Sequence, residues 1–183
     1  MLTKAFIPYK GYYSTPFSRW QGSMANENSI LLAGNTAKRW LHEKSWDPGM
    51  FDYLVFGNTI GQLHQFYASP WAAALMGAGD IEGVAVSQAC TTSTTCIYQA
   101  AAGVETGVYQ NCCTLMTDRC SNGPHTVWPN PMGPGGEVIS ENWLMDNFNS
   151  DPNVGLRMIE TAENVAKEAN FTKEQCDEMS LRR

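Results

Sequence analysis

Short apolar runs alternate with segments of helical periodicity over the first 120 residues, and this alternation restricts the fold more than any other feature. Four apolar runs have the length of β-strands: 5–9, 52–56, 83–87 and 113–116. The segments between them place apolar or small residues three or four positions apart, as on one helical face: 28–44, 70–76 and 94–107. Strands that alternate with helices favour a parallel sheet with right-handed crossovers. The sequence therefore predicts a layered α/β fold over residues 1–120.

The composition changes after residue 120. Between residues 121 and 153 Pro, Gly and Asn are frequent and hydrophobic periodicity disappears, so we expect an irregular stretch that is functional or covered by a partner. Three large aromatic residues are scattered through it: Trp128, Trp143 and Phe148. Helical composition returns at 161–169 and 173–183, where Thr172 and Gln175 have the spacing of a capping box. The change of composition at about residue 121 therefore marks the end of the predicted α/β fold.

Charge and hydropathy limit the kinds of partner that this chain is expected to bind. Twelve Lys and Arg against eighteen Asp and Glu give a net charge of -6, without a basic stripe, so no nucleic-acid binding is expected. No apolar run is long enough to span a bilayer, and residues 1–13 lack the pattern of a signal peptide. We therefore expect a cytoplasmic protein with no membrane partner.

Six cysteines without an export signal are expected to be free thiols rather than disulfides: Cys90, Cys96, Cys112, Cys113, Cys120 and Cys176. No pair has the spacing of a zinc knuckle, so no metal site is predicted. Core filling is the favoured interpretation for the cysteines on predicted helices and strands other than Cys90: Cys96, Cys112, Cys113 and Cys176.

Cys90 stands apart because it follows an apolar strand and lies at or near the first turn of the next helix. Unpaired backbone N–H groups and the positive end of the helix dipole favour a thiolate there, and the thiolate is the nucleophilic form. The same N–H groups could hold an oxyanion. The alternative is that Cys90 is a small buried hydrophobe, as most unpaired cysteines are.

Three segments carry motifs of a known family. Residues 89–93, Ala-Cys-Thr-Thr-Ser, precede Ala-Ala-Ala-Gly-Val-Glu-Thr-Gly at 100–107, a cysteine opening a helix rich in small residues. Residues 14–25 have the character of the family's opening loop, and residues 158–166 contain Thr-Ala-Glu-Asn-Val-Ala, the most specific motif. These segments resemble those of the thiolases, and they occur in the same order along the chain. The resemblance covers nearly the whole chain but only the front half of a complete thiolase.

The resemblance implies a thiolase-like βαβαβαβ catalytic domain in residues 1–120 and, in 121–183, the start of the loop domain that covers the coenzyme A thioester. It implies an acyltransferase that forms an acyl-cysteine at Cys90, in thiolysis of a β-ketoacyl-CoA or the reverse Claisen condensation. Met158 is carried over by position as a substrate contact. Acyl-CoA and coenzyme A are the implied substrates, without a resident cofactor. A homo-oligomer is implied, and a small zinc-binding partner protein is kept open because some divergent members use one.

Several departures separate this chain from the family pattern. Thiolases take a histidine from a Gly-His-Pro motif and a second cysteine from a Cys-x-Gly motif in the back half, and neither motif occurs here. His42, His64 and His125 do not match those positions, so no catalytic role is predicted for them. Thr91 replaces a very small residue directly after the nucleophile, which predicts a reshaped substrate pocket.

The aromatic residues of 121–153 could line a pocket for a bulky or aromatic acyl chain, or pack against a neighbouring subunit. Two other functions stay open. The chain could be a non-catalytic subunit that keeps the fold, or a decarboxylating ketoacyl synthase, which has a cysteine at the same helix start.

Overall fold

The computed structural model describes residues 2–182, in two compact units that divide after Pro124. The helices and strands of the first unit are α1 (Ser29–Glu43), β1 (Tyr53–Gly57), α2 (Ala68–Met76), β2 (Glu82–Val86), α3 (Thr92–Thr106) and β3 (Cys112–Met116). Those of the second unit are β4 (His125–Pro129), β5 (Val138–Asn142), α4 (Met145–Asn149), α5 (Met158–Glu168) and α6 (Lys173–Leu181). Within residues 2–182 no helix is long and apolar enough to cross a membrane.

The first unit is built on a parallel sheet with strand order β2-β1-β3. The central strand β1 pairs with both neighbours, and its last residue, Gly57, lies opposite Val86 of β2 and Met116 of β3. Since the partners are equally long and in register, the three strands end together. The predicted α/β class with a parallel sheet is confirmed.

Helices cover both faces of the sheet. Side chains of β1 alternate between the faces, so Leu54 and Phe56 join the apolar cluster of α1 and α2, whereas Val55 joins the cluster of α3. All three side chains are fully buried. Burial of this kind, at about 1.5–3 kcal/mol for each large apolar side chain, is what holds the layers together.

Residues 5–9 are not a strand, so the first of the four predicted strands is wrong. Phe6, Ile7 and Tyr9 are 82%, 62% and 88% exposed, and no strand pairs with the segment among residues 2–182. The chain is held just before it by Glu105 on α3, whose carboxylate accepts hydrogen bonds from the N–H groups of residues 3–5 at 2.8–3.1 Å. An apolar run forms a strand only where a pairing edge is available, and sequence periodicity does not show that edge.

The predicted helices of the first unit are confirmed, with shifted ends. The Asn28 side chain accepts hydrogen bonds from the first N–H groups of α1, and α3 ends at Gly107, a glycine in the left-handed region (φ 80). Helix α2 begins two residues before Pro70, and α3 begins at Thr92 rather than at residue 94. Such shifts of one or two residues leave the order of elements unchanged.

The stretch 121–153, predicted to be irregular, contains a hairpin and a short helix. Strands β4 and β5 pair antiparallel, with Trp128 opposite Ile139, and the Trp128 indole N–H donates to Glu141 at 2.8 Å. Pro129 is the last residue of β4, and the Pro and Gly residues from 131 to 136 lie in the connecting loop, 130–137. Further along, the predicted capping box of Thr172 and Gln175 is confirmed at the start of α6.

Gly57→Ala tests the close approach of α3 to the end of β1. A Cβ at position 57 would lie 2.5 Å from Cys96 Sγ and 3.0 Å from Thr92 Cγ2, so we expect the variant to lose about 1–3 kcal/mol of unfolding free energy. The matched control is Gly79→Ala, where the nearest atom would be 3.7 Å away. Denaturant unfolding of both variants gives the comparison, and equal midpoints would contradict the packing described here.

Glu105→Gln tests the attachment of residues 3–5. The Lys4 N–H, the Thr3 hydroxyl and the Thr3 N–H hold the pKa of Glu105 at about 2, below its ordinary value of 4.5. Because the folded-state pKa is depressed, the stabilisation is fully present above pH 4.5 and is lost as the pH falls through about 2. We expect protection of the residue 3–5 amides from hydrogen exchange to follow this titration in the parent chain.

The Glu105→Gln variant should show weak protection of those amides at every pH. Glu163→Gln changes a carboxylate on the exposed surface of α5 and serves as the control. Unchanged protection in Glu105→Gln would show that the carboxylate does not hold the segment.

Candidate active site

Three loops meet at the carboxyl edge of the sheet, because β1, β2 and β3 end in register. The Asn58 N–H after β1 donates to the Val86 carbonyl at 3.2 Å, and the Thr117 N–H after β3 donates to the Gly57 carbonyl at 3.0 Å. These bonds continue the pairing one residue beyond the strands. Open α/β sheets bind ligands at this edge, so a functional site is expected here.

Cys90 lies at this edge, exposed, in a tight turn between β2 and α3. Ala89, directly before it, has φ 46, in the left-handed region that residues with a Cβ rarely occupy. The Thr91 and Thr92 N–H groups donate to the Gln88 and Ala89 carbonyls, each at 3.1 Å. The Thr91 hydroxyl also donates to the Gln88 carbonyl at 2.9 Å, so the residue that departs from the family pattern helps to close the turn.

The expectation of unpaired N–H groups beside Cys90 is wrong for Thr91 and Thr92. The tight turn uses both within residues 88–92, which leaves them unavailable to an oxyanion unless the turn opens. The positive end of the α3 dipole still lies beside Cys90, since α3 begins two residues later. The dipole is therefore the feature of the predicted thiolate environment that the structure retains.

The Ala89 carbonyl is the centre of a small polar network. It accepts a hydrogen bond from the Thr92 hydroxyl at 2.7 Å and another from the Thr59 hydroxyl at 2.9 Å. Thr92 is buried, and its oxygen accepts from the Gln88 N–H at 2.8 Å. The strained residue is thereby held from α3 on one side and from the loop after β1 on the other.

Asp118, two residues after β3, holds the loop after β1. Its carboxylate accepts from the Thr59 N–H at 2.9 and 3.1 Å and from the Ile60 N–H at 2.8 Å. Partial desolvation raises the pKa of Asp118, which is an exposed residue, and these N–H bonds and the Thr59 side chain oppose that rise. Loops from all three strands are therefore linked at one edge.

Sequence reasoning did not identify Asp118, Thr59 or Thr92. The signal that was available is position, since Asp118 and Thr59 each follow a predicted strand by two or three residues. Parallel strands bring such residues to a common edge, although sequence does not say which side chains meet there.

The opening loop reaches the same edge of the first unit. The Gln21 N–H donates to the Ser121 hydroxyl at 2.8 Å, and the Asn122 side chain donates to the Ala25 carbonyl at 3.1 Å. Ser121 is buried. The segment 14–25, singled out by its motif, is therefore fixed against the loop that carries Asp118.

The six cysteines differ in environment, and all are free. Burial raises the pKa of the Cys112 thiol to about 11 and that of Cys113 to about 12, and it also raises the pKa of Cys96. Desolvation, followed by the charges of Asp118 and Cys90, raises the pKa of Cys120. Core filling is confirmed for Cys96, which is fully buried, but it is wrong for Cys176, since α6 buries no residue in the part of the chain described.

Met158 and the three histidines do not add to the Cys90 network. Met158 is the first residue of α5, half-buried, in the second unit, and its role as a substrate contact stays a prediction. His125 is also in the second unit, on β4. His42 is exposed in the last turn of α1, and the His64 ring lies edge-on to the Trp71 ring, with 6.0 Å between the ring centroids.

Comparison with known proteins identifies the class. Residues 11–183 match the family described as "Thiolase, N-terminal domain", and the chain therefore belongs to the thiolase family. The search among curated proteins gives no match.

Solved structures share the fold. Bacillus anthracis acetyl-CoA acetyltransferase has a TM-score of 0.74 at 22% identity, over 90% of this chain and 42% of that chain. Human mitochondrial 3-ketoacyl-CoA thiolase in complex with CoA has a TM-score of 0.75 at 21% identity, over 92% of this chain and 43% of that one. A second structure of human mitochondrial 3-ketoacyl-CoA thiolase has a TM-score of 0.75 at 21% identity, over 91% of this chain and 43% of that chain. The chain spans less than half the length of these relatives.

Substitution of Ala89 tests the strain in the turn. Because glycine adopts the left-handed region freely, Ala89→Gly should keep or raise the unfolding free energy, by up to about 1 kcal/mol, whereas Ala89→Val should lower it by about 1–3 kcal/mol. The control is Ala101→Gly in the middle of α3, where the same change should cost about 1 kcal/mol. Thermal or denaturant unfolding measures all three, and a loss in Ala89→Gly equal to that in Ala101→Gly would contradict the positive φ.

Proposed function

We propose that this chain carries the nucleophile of a thiolase-type acyltransferase and that Cys90 is the residue that accepts the acyl group. The observation that carries the proposal is the placement of Cys90, exposed on a strand-to-helix turn at the carboxyl edge of a thiolase-family sheet. The positive end of the α3 dipole lies beside this position. Desolvation raises the pKa values of four other thiols: Cys96, Cys112, Cys113 and Cys120.

The proposed chemistry is transfer of an acyl group in two halves. In thiolysis the Cys90 thiolate attacks the keto carbonyl carbon of a β-ketoacyl-CoA, and the carbon–carbon bond next to it breaks. The departing carbanion takes a proton and leaves as acetyl-CoA. The thiolate of coenzyme A then attacks the acyl-Cys90 thioester, which releases a shortened acyl-CoA and restores the Cys90 thiolate. The Claisen condensation is the reverse.

The family resemblance assigns the proton transfers to residues in the back half of a complete thiolase. The histidine of a Gly-His-Pro motif would activate the nucleophile, and the cysteine of a Cys-x-Gly motif would deliver or remove the proton. Neither motif is present in residues 1–183. The contribution proposed for this chain is therefore the nucleophile, its turn and part of the substrate cover.

The second unit is proposed as the start of the domain that covers the thioester, with Met158 as a substrate contact. Trp128, Trp143 and Phe148 are each between 38% and 48% exposed, so their rings are available to an aromatic or branched acyl chain or to a protein neighbour. The human relative named above was solved in complex with CoA, and coenzyme A thioesters are the substrates proposed here. A homo-oligomer and a small zinc-binding partner protein stay predictions.

Two alternative functions would give different results in acylation experiments. A non-catalytic subunit that keeps the fold would form no acyl-enzyme under any condition. A decarboxylating ketoacyl synthase would take its acyl group from acyl-carrier protein rather than from coenzyme A. The match to the thiolase family favours coenzyme A.

Acylation of Cys90 is the direct test. The chain is incubated with acetyl-CoA and with benzoyl-CoA, alone and together with a polypeptide that bears the Gly-His-Pro and Cys-x-Gly motifs, and the adduct is located by peptide mass spectrometry. We expect a thioester on Cys90 in the parent chain and in Cys120→Ala, and none in Cys90→Ala. An adduct on another thiol, or no adduct even with the complementing polypeptide, would contradict the proposal.

A further inference from the structure

The carboxylate of Asp118 lies one loop away from the turn that holds Cys90, and main-chain N–H groups compensate its charge. Among residues 2–182 the ion pairs do not include it: Arg39–Glu43, Lys173–Asp177 and Arg182–Glu178. The N–H groups of Thr59 and Ile60 bind Asp118 at 2.8–3.1 Å, and the Thr59 side chain adds to them in lowering its pKa. Asp118 is an exposed residue, so water also solvates its charge, and what these bonds fix is the position of its side chain against the loop after β1.

A continuous path of bonds runs from Asp118 to the nucleophile. Asp118 fixes the backbone of Thr59, and the Thr59 hydroxyl donates to the Ala89 carbonyl at 2.9 Å. Ala89 is bonded directly to Cys90 and has φ 46, a conformation that persists only where its surroundings hold it. The path therefore ends on the residue whose backbone angle sets the direction of the Cys90 side chain.

The position of the Asp118 carboxylate is not explained by electrostatic stabilisation of a Cys90 thiolate. A negative charge close to a thiol opposes thiolate formation, and Asp118 has this effect on the neighbouring Cys120, where its charge adds to desolvation in raising the pKa. At a nucleophilic cysteine the same charge would be unfavourable. Its value must lie in geometry rather than in activation of the thiol.

A carboxylate fits the geometry better than an amide does. Both oxygens of Asp118 accept from the Thr59 N–H, and one of them also accepts from the Ile60 N–H. In the Asp118→Asn variant one of these acceptors would become an NH₂ group facing the Thr59 N–H, and donor would meet donor. The loop after β1 would then shift, and the Thr59 hydroxyl with it.

We propose that Asp118 is a positioning residue for Cys90, acting through the Thr59 hydroxyl and the Ala89 carbonyl. This role rests on the proposed function, since positioning of the thiol matters for acyl transfer. It predicts that loss of either link leaves Cys90 exposed and chemically reactive but badly aimed at the carbonyl carbon of a bound thioester.

The test compares two reactions of Cys90 in folded variants. Acyl transfer from acetyl-CoA, measured with the complementing polypeptide, depends on aim, whereas alkylation by iodoacetamide depends mainly on exposure and thiolate content. We expect Asp118→Asn and Thr59→Val to lose roughly ten- to hundredfold in acyl transfer, since a misplacement of about 1 Å costs about 10²-fold. Alkylation of Cys90 should stay within about threefold of the parent rate in Thr59→Val.

Two further variants serve as controls. Thr59→Ser keeps the hydroxyl and should restore acyl transfer, while Thr106→Val removes a hydroxyl at the far end of α3 and should leave it unchanged. If Asp118→Asn does not fold, the Thr59→Val and Thr59→Ser pair decides the question alone. Circular dichroism and denaturant midpoints establish which variants are folded.

The outcomes separate the two proposals. If the parent chain is never acylated at Cys90, the proposed function fails. If it is acylated and Thr59→Val reacts at the parent rate, the positioning role is wrong and the function stands. Equal losses of acyl transfer and alkylation in Thr59→Val would also overturn the positioning role, because they would indicate a general change in the thiol.

Discussion

Parallel pairing of β1 with both of its neighbours, in a register that ends all three strands together, is the constraint on which the candidate site depends. It brings the loops at 58–60, 87–91 and 117–121 to one edge, although they are far apart in sequence. The fully buried side chains of Leu54, Val55 and Phe56 hold β1 between two helical layers and keep that register fixed. The position of Cys90 is therefore a consequence of core packing as much as of local sequence.

The sequence alone predicts the elements whose signal is local. Helix α1 has a clear apolar face, and the apolar strand and small-residue helix around Cys90 are equally plain. Residues 5–9 are misjudged because apolar character does not show whether a strand edge is available, and their large side chains stay exposed. Strands β4 and β5 are missed because Pro and Gly crowd the loop between them. Local sequence patterns identify helices and strands, whereas the pairing of one strand with another depends on residues that are far apart in the sequence.

The network around Cys90 lies beyond sequence reasoning for the same reason. Asp118 meets the backbone of Thr59 across 59 positions, and Thr59 meets Ala89 across 30. Nothing about an alanine indicates a positive φ, and nothing about a threonine indicates which carbonyl its hydroxyl will reach. Cys90 was identified in advance by its position between a strand and a helix and by the family motif, but neither signal identified the residues that position it.

The attachment of residues 3–5 to Glu105 has a practical consequence for experiments on the thiol. Glu105 is near the last turn of α3 and Cys90 is just before the first, so about 22 Å of helix, at 1.5 Å per residue, separates them. A fluorophore or affinity handle joined ahead of Thr3 is thus anchored far from the nucleophile. Such a reporter would give a fixed reference point for distance measurements to probes placed on Cys90.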